Sequence, residues 1–344
     1  MKEWIGRSGL ALAAVVLTLG VAEIGLRAAH GWLGHWGNLV LEAREVLADR
    51  EHSRFVDDPL LGYEPRPGFT AAGVSFDREG FRVTGPAPSA GRPAILAVGD
   101  SYTYGDEVGD GETWPAHLQR LGGARVLNAG VSGYGFDQSV LRAEKVAAGR
   151  SLSAIVVSFI ADDVRRTEMS RLWGANKPYF DIADDRLVLR NVPVPPRPDP
   201  RTTLSIWQRA FGRSYLVDFV LRRLDLLHDW FGDHIRVHDA GGGERIACLL
   251  AGRLAELQRI SGARVLLMAQ YDPVVWQDAR FAAEQRRLAE AVLRCGRRAG
   301  LAVLDTFEPL ARAEPRQLYG LWHMNDAGNR LVASLVAAAL NGAP

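Results

Sequence analysis

Ser101 stands in the run Gly99-Asp100-Ser101-Tyr102-Thr103-Tyr104-Gly105, directly after the apolar stretch 93–98. An apolar stretch of that length closed by glycine reads as a buried strand about to turn into a helix. Ser101 then projects from a tight turn at the carboxyl edge of a sheet, where α/β proteins bind ligands. A serine hydroxyl attacks a carbonyl only when a neighbouring base takes its proton. His323, in Leu321-Trp322-His323-Met324-Asn325, is the candidate base. The plainer reading is that Asp100 and Ser101 cap the next helix and that a single histidine is structural. Two more polar turns favour chemistry. Asn128-Ala129-Gly130-Val131-Ser132-Gly133-Tyr134-Gly135 follows a second predicted strand with glycines whose amides can face a developing oxyanion, and Phe159-Ile160-Ala161-Asp162-Asp163 ends a third. A dinucleotide loop does not fit, because these glycines fall after the second strand in the order G-x-x-G-x-G and no strand-ending acid sits at the needed distance.

The four turns share one edge only if the chain alternates strand and helix. Strands are expected at 93–98, 125–127, 154–159, 264–269 and 301–304, and helices at 114–121, 136–148, 244–260, 280–299 and 326–340. Such alternation implies a five-stranded parallel sheet with helices on both faces. Residues 165–243 exceed a plain crossover and read as an insertion, with extended polyproline geometry at 193–200 and an amphipathic helical region at 204–230. Within it, Lys177-Pro178-Tyr179-Phe180 offers aromatic rings either to a sugar or to core packing. His234 and His238, flanked by Asp233 and Asp239, have helical spacing for a metal, but a solvated turn before glycines 241–243 is the favoured reading and no metal site is assigned.

At 344 residues and 47% apolar, the chain can bury one large core with peripheral additions. Lys and Arg number 41 against 40 Asp and Glu, so no field exists to gather phosphates, and nucleic acid is excluded as a partner. Cys248 and Cys295 are too few for a disulfide scaffold; they lie on predicted helices and either form one bond or act as small buried hydrophobes. Lys2 and Arg7 precede an uncharged run at 8–22, closed by Glu23 and Arg27, with Trp32 and Trp36 beyond. Positive end inside, apolar stretch and interfacial aromatics favour an uncleaved membrane anchor at 1–29 over a signal peptide cut after Ala22. An N-terminal segment at 30–92 follows, helical at 38–54, then broken by Pro59, Gly62, Pro65, Pro67 and Gly68 and ending in a linker at 85–92; the main domain is 93–344.

A G-D-S turn on the first strand, an N-x-G turn on the second, a polar pair after the third and a histidine before the last helix together resemble the four blocks of the SGNH, or GDSL, hydrolases. Asp58-Pro59-Leu60-Leu61-Gly62-Tyr63 and Gly80-Phe81-Arg82 are similar to the leader region of membrane-anchored bacterial members. The resemblance implies a three-layer α/β/α sandwich of the flavodoxin-like kind and no metal or organic cofactor. It implies Ser101 as nucleophile, His323 as general base and then acid, and the amides of Ser101 and Gly130 as oxyanion hole. Two departures follow. Asp162 replaces the usual side-chain amide donor, and can donate only if protonated. Leu321 and Gly320 occupy the positions where the family carries an aspartate, so a backbone carbonyl or a remote carboxylate, Asp305 or Asp326, is expected to hold the imidazole. The resulting expectation is a periplasmic serine esterase or O-acyltransferase, tethered to the bacterial inner membrane or secreted if the leader is cleaved. Its expected substrates are small esters or acyl groups, acetyl above all, on a cell-surface or exported polysaccharide. The alternative is a catalytically degenerate module that binds glycan or a secretion partner without turnover.

Overall fold

The computed structural model describes residues 2–86, 88 and 93–342; most of the expected linker, 87 and 89–92, lies outside the described residues. Two helices lead, α1 (Lys2–Ala29) and α2 (Leu39–Arg54), followed by short antiparallel hairpins, Phe55–Asp58 with Gly62–Pro65 and Thr70–Ala71 with Val74–Ser75. The alternation then begins with β1 (Ala94–Val98), α3 (Ser101–Tyr104), α4 (Trp114–Gly122), β2 (Val126–Asn128), α5 (Phe136–Ala147), β3 (Leu152–Phe159) and α6 (Ala161–Arg166). After three short helices, α7 (Ile206–Phe211), α8 (Tyr215–Arg223) and α9 (Leu227–Phe231), it resumes with α10 (Gly243–Ser261), β4 (Arg264–Ala269), α11 (Ala279–Arg298), β5 (Ala302–Asp305), α12 (Phe307–Arg312) and α13 (Asp326–Asn341).

The five strands form one parallel sheet in the order β5-β4-β3-β1-β2, the flavodoxin-like arrangement. From Ala154 onward β3 is buried on both faces, which is why residues 154–157 are apolar without alternation. Ile155, Val157 and Phe159 join a core with Phe136 and Val140 of α5, Leu250 and Leu254 of α10 and Leu288 and Val292 of α11. Val156 points the other way, into a second core with Trp114 and Leu118 of α4 and Val332 and Val336 of α13. The result is a three-layer α/β/α sandwich, with strands and helices ending within two residues of their expected limits. Side-chain caps set the starts that matter here: Thr113 accepts from Ala116 N ahead of α4, and Asn325 accepts from Gly328 N ahead of α13.

Chain contacts separate two compact units, residues 1–51 with 197–234 and residues 52–196 with 235–344. The expected insertion is therefore shared. Its first part carries a hairpin, Tyr179–Ala183 with Arg186–Arg190, where no strand is expected; the turn residues Asp184 and Asp185 have φ of 49° and 56°, the twist that suits a two-residue hairpin turn. Its second part is three helices rather than one, broken at 212–214 and at Asp225, which has φ of 57°. In that unit, Ser8–Ala29 of α1 is long and apolar enough to cross a membrane, with mean hydropathy 2.1.

Cys248 of α10 and Cys295 of α11 are joined by a disulfide across 47 residues. Closing a loop of that length removes denatured-state entropy corresponding to about 4 kcal/mol. Replacing both cysteines by serine is expected to lower unfolding stability by up to about that amount, read from the denaturant midpoint, with the far-UV circular dichroism of the folded protein unchanged.

Candidate active site

β1 ends at Val98 and the chain turns through Gly99 into α3. Asp100 caps this four-residue helix, accepting from Tyr102 N at 3.0 Å, so Ser101 is its first residue. The turn after β2 packs tightly beneath: a Cβ at Gly130 would lie 2.3 Å from Tyr104 N, which only glycine avoids. Val131 N donates to Gly99 O at 3.0 Å, fixing the second turn beside the first.

His323 reaches back over this edge from the loop before α13. Its Nε2 lies 3.0 Å from Ser101 Oγ, shorter than the 3.3 Å between that oxygen and Asp100 Oδ2. Its Nδ1 lies 3.2 Å from Glu107 Oε1. Glu107 also accepts from the backbone amides of Leu321 at 2.8 Å, Trp322 at 3.0 Å and His323 at 3.4 Å. Burial tends to raise the pKa of Glu107, but hydrogen bonds from the His323 ring and the Trp322 amide outweigh it, and the carboxyl titrates below its ordinary range. An ionised carboxylate only accepts, so the proton of the neutral ring sits on Nδ1 and leaves the Nε2 lone pair facing Ser101 Oγ. The depressed pKa means that the grip of Glu107 is complete above the ordinary glutamate pKa and is lost only as pH falls through the lowered value.

This geometry corrects several expectations. Asp305 does not hold His323: it accepts from Tyr271 OH at 3.0 Å and Phe307 N at 2.9 Å. Asp326 instead pairs with His117 at 2.8 Å and with Arg330. The acid comes from the loop behind the nucleophile, and Gly320 makes room for it, since a Cβ there would lie 2.5 Å from Glu107 Oε2. Asp162 is exposed and bound to Arg165 at 2.6 Å, an ion pair in which it accepts rather than donates. The Gly130 amide is given to Asn128 Oδ1 at 3.1 Å and is not free for an oxyanion. The amides of Ser101, Ser132 and Gly133 have no backbone acceptor among the described residues.

The loop carrying Glu107 is clamped from the N-terminal segment. The buried guanidinium of Arg82 donates to the carbonyls of Tyr104 (2.7 Å), Gly105 (2.6 Å) and Val108 (2.6 Å) and pairs with Asp110 at 3.1 Å. Glu107 itself holds a left-handed backbone, φ 70°, a conformation that needs surrounding contacts to persist in a non-glycine residue. From the other side, Ser132 Oγ donates to Asp106 Oδ2 at 2.6 Å. Beneath Ser101, the buried Asp100 and Asp163 share Arg166, at 3.8 and 2.6 Å. Burial pushes both carboxyls upward, Asp163 well above its usual range because Asp100 adds like-charge repulsion.

Three further sequence candidates, Lys177, Tyr179 and His238, are held in packing and hydrogen bonds. Lys177 is buried on Asp137 at 2.6 Å, and Tyr179 packs edge-on against His238, which bonds Phe180 O at 2.9 Å.

Around the rim, Trp322 and Leu321 are exposed beside His323, and the Trp173 ring lies against Gly133. A cavity of about 330 Å³ opens at Gly320 and Leu321, walled by Trp276, Gln277, Arg316 and Tyr319.

A parallel three-layer sandwich with a serine and a histidine in contact over its carboxyl edge is the architecture of an ester-bond hydrolase. The sequence pattern of the GDSL-like lipase/acylhydrolase family matches residues 97–331, and the chain belongs to that family. Among solved structures it is similar to LAE5, an alpha/beta hydrolase enzyme from the metagenome of Lake Arreo, Spain (15% identity, 73% of this chain and 96% of that one, TM-score 0.45). It is also similar to the acetylxylan esterase Axe2 of Geobacillus stearothermophilus (14%, 73% and 95%, 0.40) and to a lipase/acylhydrolase of Enterococcus faecalis (14%, 72% and 94%, 0.40). A search of curated proteins finds no match.

The room at position 320 makes a direct check. Gly320→Ala should push Glu107 off the imidazole and lower kcat on p-nitrophenyl acetate by at least about tenfold, with the melting temperature little changed; an unaltered kcat would show that this space is not needed.

Proposed function

We propose that this chain is a membrane-tethered, exported serine esterase or O-acyltransferase in which Ser101, His323 and Glu107 form the catalytic centre. The single observation that carries the reading is the 3.0 Å contact between Ser101 Oγ and His323 Nε2, with the Glu107 carboxylate 3.2 Å behind Nδ1. In the first half-reaction Oγ attacks the ester carbonyl while Nε2 takes the hydroxyl proton. The oxyanion is held by the amide of Ser101 and, in this assignment, by one from the Ser132–Gly133 turn. The imidazolium then gives its proton to the departing alcohol as the C–O bond breaks. In the second half-reaction His323 deprotonates water or an acceptor hydroxyl, which attacks the acyl-serine and returns Ser101 to its starting state.

The substrate side is argued from chemistry at the rim. Exposed Trp322 offers a face on which a sugar ring stacks, and Gln277 and Arg316 offer hydrogen bonds in the neighbouring cavity. A short acyl chain on a carbohydrate hydroxyl, acetyl above all, suits this mixture better than a long apolar chain would. Export is supported by the apolar helix near the N-terminus and by the disulfide, since such bonds persist in oxidising compartments such as the periplasm. Against a module that binds without turnover, suggested by the acid absent from the histidine block and by Asp162 in place of an amide donor, stands the Glu107 carboxylate beside His323 Nδ1.

A fluorophosphonate probe should label the folded wild type and leave Ser101→Ala unlabelled; absence of labelling in the wild type would favour the binding module. Glu107→Gln should retain the probe site but lower kcat by about 10³–10⁴-fold, whereas Ser101→Ala should lower it by about 10⁶-fold, measured on an acetyl ester.

A further inference from the structure

In the unit that holds α1, every residue from Ser8 to Val21 is exposed, a bare apolar helix. Just beyond, the chain is locked to the second part of the insertion. Glu23 accepts from Ser214 Oγ, Tyr215 N and Leu216 N, each at 2.8 Å. Arg27, 1% exposed, donates to Glu23 and to the carbonyls of His35 and Arg213, and its guanidinium lies 4.1 Å over the Trp36 ring. The start of α8 is thus fixed against the last two turns of the apolar helix, and α7 leaves from the same point.

The side chains that α7 presents are unusual for a protein surface in water. Ile206 is 76% and Trp207 64% exposed, Phe211 stacks on Trp207, and Arg209 and Arg213 stand among them. Trp32, Leu33 and Trp36 are exposed where the chain leaves α1. Apolar and aromatic groups mixed with arginine, at the point where a spanning segment ends, are the composition of the membrane–water interface. Residues this apolar are kept in water only at a cost, unless something covers them.

We infer that α7 and the α1 exit form a collar that lies in the headgroup layer of the bilayer, with Ile206, Trp207 and Phe211 inserted at the acyl boundary. The inference rests on reading α1 as a membrane anchor. The occupant is a phospholipid bilayer rather than a protein partner, because the elements that carry these exposed groups are hydrogen-bonded to the end of the helix that the same bilayer would surround. The collar would hold the exit of the anchor at a fixed depth instead of leaving it a free tether.

The test uses the full chain in nanodiscs of phosphatidylcholine and phosphatidylglycerol. Both native cysteines are bonded, so a cysteine placed at either Leu17 or Ile206 gives a single site for an environment-sensitive fluorophore. With acyl chains brominated at mid-chain for Leu17→Cys and near the headgroups for Ile206→Cys, quenching and blue-shifted emission at both sites support the collar. Quenching at Leu17→Cys with water-like, unquenched emission at Ile206→Cys overturns the collar and leaves the anchor standing. No quenching at either site overturns the anchor reading and the collar with it.

Discussion

The carboxylate of Glu107 binds together two segments that are far apart in sequence, the loop that follows the nucleophile and the loop that presents the histidine. It takes hydrogen bonds from three consecutive backbone amides at 321–323 as well as from the imidazole. Removing it would release the position of the His323 backbone and the orientation of its ring at once. Much of the surrounding structure serves to hold this one group in place. Arg82 pins the carbonyls on either side of it, Ser132 anchors the adjacent Asp106, and Tyr102 OH bonds Trp322 O at 2.9 Å to steady the histidine loop. The N-terminal hairpin region, which the family pattern does not cover, thereby contributes through Arg82 to the geometry of the site.

The same arrangement explains the departures from the family blocks. An acid three residues before the histidine would have to fit where Glu107 Oε2 already lies, and glycine at 320 leaves that space clear. Asp162, free of any need to donate, is used in a surface ion pair with Arg165.

What could be read from the residues followed from strong local signals. Continuous apolar runs mark the strands, the first of them closed by Gly99, amphipathic periods mark the helices of the sandwich, a polar turn at a strand end points to Ser101, and the loop before the last helix points to His323. Glu107 escaped because the contact joins residues more than two hundred positions apart, and nothing in its own neighbourhood distinguishes it from Asp106 or Asp110. The glycine at 320 was the available clue, for a vacant side-chain position beside a histidine invites a group from elsewhere. The resemblance to the family points to the Gly130 amide as an oxyanion donor, and only in three dimensions does the Asn128 side chain accept from that amide. The hairpin at 179–190 was hidden by a turn of two aspartates in place of the usual asparagine and glycine, and the insertion's division between two units depends on contacts with α1 that no local pattern carries.

The central claim is that Glu107 acts through His323, and a double-mutant cycle in kcat measures this most directly. Glu107→Gln, His323→Ala and the double variant would be compared on one acetyl ester. The account predicts that, once the histidine is gone, adding the glutamine substitution lowers kcat by less than about threefold, because its partner is already lost. Losses that multiply, with Glu107→Gln costing as much in the His323→Ala background as in the wild type, would contradict it.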